Sequence, residues 1–110
     1  MHQAIFTFEV PEEKQEAYLR ATAEVIKPFW EAHECTSYEV FQDYFGSPRR
    51  FVKIQYYPDK ATMERSLALA RQDERGRAVV ALFLQFAEKL EQRRVVPVLD
   101  GNGIVRRQAE

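Results

Sequence analysis

The sequence predicts an α+β fold in which a four-stranded antiparallel sheet carries its helices on one face. Three observations lead there. Strand-like and helix-like stretches alternate in the order β-α-β-β-α-β. The chain has 110 residues, 45% of them apolar, which suits one hydrophobic core and no second domain. Its 16 Lys plus Arg against 17 Asp plus Glu leave a formal charge of −1. That balance removes the electrostatic case for nucleic acid or an anionic membrane as a partner, and the composition is not that of a disordered chain.

The first strand is Gln3 to Val10, where Ala4, Phe6, Phe8 and Val10 share one face and Gln3, Ile5, Thr7 and Glu9 the other. Pro11 suits the start of a helix because its missing N–H costs nothing there, and Glu12, Glu13 and Glu16 favour the positive end of the helix dipole. Tyr18, Thr22, Val25, Ile26, Phe29 and His33 then recur at helical spacing, so this helix is expected to reach His33 with a kink or break at Pro28. Thr36–Phe45 and Arg49–Tyr57 form a hairpin across Gly46-Ser47-Pro48.

Asp59 is placed to cap the second helical stretch, which is expected to run to about Glu91, divided near Arg71–Arg77 with Asp73 capping its second part. The last strand is expected at Arg94 to Leu99, with Pro97 confining it to an edge or a bulge. Residues 1–100 then make a single ferredoxin-like α+β domain, and 101–110 a C-terminal tail.

Alternation within the strands assigns Phe6, Phe8, Val40, Val52 and Ile54 to the helix-covered face. It leaves Ile5, Glu39, Phe41, Phe51, Lys53 and Tyr57 on the other. A half-apolar second face calls for another sheet, so the expected partner is a second copy of the chain, with Glu39 and Lys53 pairing with each other or across the two-fold. The one cysteine, Cys35, cannot form an intrachain disulfide and reads as a small buried side chain in a cytoplasmic protein. The opening MHQAIFTFEVPEEK does not read as a signal peptide, and Ala78–Ala87 is too short to span a membrane.

The stretches Tyr38-Glu39-Val40-Phe41 and Arg50-Phe51-Val52-Lys53-Ile54-Gln55-Tyr56-Tyr57, with the helix from Asp59, resemble the antibiotic biosynthesis monooxygenase-like domains of the dimeric α/β-barrel superfamily. The resemblance spans roughly residues 3 to 99. It implies a homodimer with a shared eight-stranded barrel, a ligand pocket between helices and sheet, and cofactor-independent oxygenation of small aromatic or polyketide-like molecules. Where that family carries a Glu on the third strand this chain has Gln55, followed by the aromatic Tyr57, and Ser66 stands where a helix His would fall. The haem-degrading branch fits less well, because Met63 to Leu90 contains neither Trp nor His.

No metal is expected: His2 and His33 are far apart and no Cys/His pair has zinc-ligand spacing. Gly101 and Gly103 open no helix, so they make no phosphate loop, and no cofactor is expected. The candidate ligand-binding residues are Trp30, Tyr38, Gln42 and Tyr56, polar tips on an apolar wall, with His33, Tyr38 and Tyr56 as the catalytic candidates. Buried Tyr and Trp can also serve a core alone. A non-catalytic ligand-binding or assembly domain of the same fold therefore stands beside the enzyme. An RNA-binding module shares the element order, but Arg50–Ile54 lacks the Gly-aromatic pair such strands carry.

Overall fold

The computed structural model describes residues 1–100 and 103–104. Strands β1 (His2–Glu9), β2 (Ser37–Gln42), β3 (Arg50–Tyr57) and β4 (Glu88–Val95) form one antiparallel sheet in the order β2-β3-β1-β4. Helices α1 (Gln15–Ala21), α2 (Lys27–Glu31), α3 (Lys60–Gln72) and α4 (Glu74–Leu84) supply the second layer. Leu99–Asp100 and Gly103–Ile104 pair as a separate two-stranded ladder. Of the expected tail, 101–102 and 105–110 lie outside the described residues.

The break expected at Pro28 is taken up one turn earlier. Between α1 and α2 the chain winds more widely over Thr22–Ile26, where the Lys27 N–H donates to the carbonyl of Thr22, five residues back. A proline cannot donate to the ladder and its ring crowds the carbonyl four residues before it; a wide turn absorbs both defects. Pro28 then falls in the first turn of α2. Glu34, in the left-handed region at φ 76°, ends the segment, and the Cys35 N–H returns to the Trp30 carbonyl at 3.1 Å.

Asp59 and Asp73 cap α3 and α4 as the sequence predicts. Their carboxylates accept from the N–H of Thr62 at 2.7 Å and of Gly76 at 2.9 Å. Gly76 is where α4 crosses the end of α3: a Cβ there would lie 2.0 Å from the Leu69 carbonyl oxygen.

Two expectations are corrected. The last strand begins at Glu88, not Arg94, and α4 ends at Leu84 rather than near Glu91. β4 is an exposed edge strand of mostly charged residues, so it shows no apolar alternation, and Leu90 belongs to the strand. Lys89 and Leu90 together oppose Phe8, a bulge with Lys89 at φ 53°.

The second correction concerns β3. Facing residues share a side of the sheet, and the register pairs Ala4 with Gln55, Phe6 with Lys53 and Phe8 with Phe51. Phe51, Lys53, Gln55 and Tyr57 therefore lie beneath the helices, while Val52, Ile54 and Tyr56 join Ile5, Glu39 and Phe41 on the open face. The bulk of Phe51 and Tyr57 explains the choice. Phe51 stacks on Phe8 at 6.0 Å and meets Tyr18 edge-on at 5.6 Å, in a cluster that Phe83 joins at 5.1 Å from Phe8. A slip of one residue would expose both rings to water.

Phe83→Ala should lower unfolding free energy by about 3–5 kcal/mol, and Asp73→Ala by about 1 kcal/mol, in urea titrations. Gly76→Ala should cost more than the lost cap, because its methyl group meets backbone and not a yielding side chain.

Candidate functional site

The inward residues of β3 build the site. Lys53, Gln55 and Tyr57 alternate along the strand, and all three are buried under α3 and α4. Gln55 Nε2 donates to the Tyr57 hydroxyl at 2.8 Å, and that hydroxyl lies 3.0 Å from Ser66 Oγ on α3. The three positions that the resemblance marks are thus joined in one hydrogen-bonded chain, which consumes their polar groups locally.

Lys53 is different. Its side chain is 5% exposed, and among the described residues its ammonium has no hydrogen-bond or carboxylate partner. Instead Nζ sits 4.0 Å from the ring centre of Phe83, 4.5 Å from Phe6 and 5.1 Å from Tyr38. Such cation–π contacts offset part of the cost of leaving water. Burial pulls the lysine down to about 7 from its ordinary 10.5.

Lys53 borders a cavity of about 190 Å³ between sheet and helices. Phe6, Trp30, Leu67, Val80 and Phe83 form its apolar wall, and exposed Arg71 and Arg94 stand at the rim. Among the described residues its ionisable lining is Lys53, Arg71 and Arg94, all bases. An apolar cavity of about 150 Å³ accepts benzene, so a space of about 190 Å³ is of the size of a single ring.

The expected site residues separate. Trp30 lines the cavity. Tyr38 lies beside Lys53; its buried hydroxyl has no hydrogen-bond partner among the described residues, and burial holds the phenol well above its usual range. Tyr56 is corrected to the open face, where partial burial and then the Glu39 carboxylate raise its phenol. Gln42 is on the helix side but at the far end of the sheet, donating to the Pro48 carbonyl at 2.7 Å to hold the hairpin. His33 stays outside the cavity: its Nδ1 lies 2.7 Å from the Phe29 carbonyl and its ring stacks on Phe29. Glu39 and Lys53 point to opposite faces and cannot pair. Cys35 is buried, its Sγ 3.1 Å from the Ser37 carbonyl, and burial raises its thiol. Among the described residues no cluster of three or more His, Cys, Asp or Glu could hold a metal ion, and no helix is long and apolar enough to cross a membrane.

Sequence reasoning missed Leu67, Phe83, Arg71 and Arg94 as site residues and put Lys53 on the wrong face. The signal was present in Phe51-Val52-Lys53-Ile54, a lysine amid strand apolar residues.

No protein-family profile and no curated protein matches this sequence. Solved structures do match. An antibiotic biosynthesis monooxygenase is 21% identical, with a TM-score of 0.61 over 88% of this chain and 100% of that one. A NIPSNAP domain protein from Burkholderia xenovorans is 14% identical, with a TM-score of 0.69 over 88% and 94%. A NIPSNAP family protein of unknown function from Agrobacterium tumefaciens is 19% identical, with a TM-score of 0.70 over 88% and 87%. This chain shares their ferredoxin-like fold. At these identities the likeness carries the fold alone.

Lys53 should leave a mark on stability. From about pH 7 up to the ordinary lysine value of 10.5, the unfolded chain binds a proton that the folded chain does not, so stability rises with pH across that window. The groups facing Lys53 are Tyr38 and Cys35, with Arg71 and Arg94 on the rim; the Cys35 thiol, raised by burial from its ordinary 9, opposes the trend from about pH 9, and Tyr18 and Tyr57, pushed up to about 12 by burial, oppose it above pH 10. Lys53→Met should flatten the rise in unfolding free energy between pH 7 and 9, measured by urea titration.

Proposed function

We propose that this protein is a homodimer that takes a small aromatic molecule into the cavity at Lys53 and oxygenates it without a cofactor. The observation that carries the reading is a buried lysine, with no hydrogen-bond or carboxylate partner among the described residues, lining a ring-sized cavity. The neutral amine takes a proton from an activated CH₂ of the substrate, such as a ring methylene or the keto tautomer of a phenol. The ammonium formed steadies the resulting anion in a site where charge is poorly screened. That anion adds dioxygen, and the protonated hydroperoxide loses water. One oxygen atom remains as a carbonyl and the other leaves in the water.

The open face supports the dimer. Ile5, Val52 and Ile54 are half-buried there and Phe41 is 48% exposed, an apolar surface without a second layer. One row across the sheet reads Glu39, Ile54, Ile5, Arg93. An apolar centre with opposite charges at its two ends complements a copy of itself turned about a two-fold axis.

A second reading rests on the Gln55–Tyr57–Ser66 chain. Polar groups satisfied by one another are poor proton-transfer groups, which favours a binding protein of the same fold.

Dioxygen consumption with single-ring hydroquinones separates the two. Oxygenation predicts uptake that rises with pH through about 7 and falls by about 10²–10⁴ in Lys53→Met. Quenching of the single tryptophan, Trp30, without uptake would favour the binding protein. Sedimentation equilibrium should give a dimer for the native chain and a monomer for Ile54→Glu; a monomeric native chain would remove the dimer.

A further inference from the structure

We infer that Lys53 captures a compact aromatic aldehyde as an imine within the cavity under α3 and α4. The inference rests on that cavity being the ligand site, but not on oxygenation. A lysine becomes a carbonyl nucleophile when it is kept from acceptors and carboxylates, held in an apolar pocket, and placed near further positive charge. All three conditions meet at Lys53. Among the described residues no carboxylate lines the cavity, Phe6 and Phe83 pack on the amine, and Arg71 and Arg94 stand at the rim. Burial supports the same reading, since an amine drawn down to about 7 is substantially uncharged at neutral pH.

The volume and the walls select the partner. About 190 Å³ admits one ring with a one-carbon substituent, and Trp30, Leu67 and Phe83 would surround that ring. The step is redox-neutral. The Nζ lone pair forms a bond to the aldehyde carbon while the carbonyl π bond breaks, and the oxygen gains a proton from nitrogen. The carbinolamine then loses its hydroxyl group, which departs as water with the second nitrogen proton and leaves a C=N bond. Water reverses the step, so the capture is an equilibrium.

The other lysines supply an internal control. Lys27 lies 2.6 Å from Glu31, Lys89 3.4 Å from Glu9 and Lys60 4.0 Å from Glu64, and Lys14 is exposed. The α-amine of Met1 is a further competing nucleophile, resolved from Lys53 by position.

The test is reductive trapping of the native full-length chain with benzaldehyde and cyanoborohydride at pH 7, followed by peptide mapping. The expected result is one benzyl group on Lys53, formed at least tenfold faster than on Met1 or any other lysine. Excess benzyl alcohol, which fills the same space but cannot form an imine, should slow that labelling. Lys53→Arg should abolish it while Trp30 fluorescence still responds to benzyl alcohol. Labelling of Met1 or surface lysines with Lys53 untouched would overturn the inference, as would labelling of Lys53 no faster than in urea. Oxygen uptake without trapping would leave the oxygenase and remove the imine, and trapping without uptake would do the reverse. No trapping, no uptake and no Trp30 response to ring compounds would remove the cavity as a ligand site, and both readings with it.

Discussion

The register of β3 against β1 is the constraint on which the rest depends. Pairing Phe8 with Phe51 brings two rings together under α1 and α4, and a period of two then carries every second residue of β3 inward. The core gains Phe51 and Tyr57 and must accept Lys53 and Gln55 between them. Gln55 is satisfied by Tyr57 and through it Ser66. Lys53 has no such outlet, and the cavity beside it is the space left unfilled by α3 and α4. Site and packing therefore have one origin: the aromatic residues fix the strand, and the strand delivers the amine.

The same register creates the open face. Val52 and Ile54 cannot reach the helices, so β3 is apolar outward where its inward row is partly polar. This inversion would suit a sheet whose open side is covered by the proposed second copy. Helices on one side tolerate an irregular, cavity-bearing contact, whereas sheet-on-sheet packing favours flat β-branched side chains such as Val52 and Ile54.

Much of this was legible in the sequence, for identifiable reasons. The element order, the caps at Asp59 and Asp73 and the inward row of β1 follow from local patterns that tertiary packing had no cause to override. The β3 faces were not legible, because counting apolar residues favours Val52, Ile54 and Tyr56 over a row containing lysine and glutamine. Only the size of Phe51 and Tyr57, weighed against the cluster around Phe8, tips the balance. β4 was hidden for another reason: an edge strand reading Glu-Lys-Leu-Glu-Gln-Arg-Arg-Val is exposed along its whole length and shows no periodicity. Of the candidate site, Trp30 and Tyr38 reached the neighbourhood of Lys53, while His33, Gln42 and Tyr56 belong to a helix end, a hairpin and the open face. Polar residues buried against the pattern mark the site, and for that reason the pattern misplaced them.

The bulge at Lys89 and Leu90 sets the parity of the edge strand. Glu88 faces Glu9, and beyond the extra residue Gln92 faces Phe6 and Arg94 faces Ala4. Were the ladder regular, with Lys89 and Leu90 each taking a partner and Glu88 held in place, Glu91 would stand opposite Phe6 and Arg93 opposite Ala4. A carboxylate would then enter the row that holds Lys53 and supply the counter-ion the amine now lacks. The bulge at the rim of the sheet is thus an electrostatic selector: it turns an acid outward and leaves two arginines as the charged neighbours of an amine.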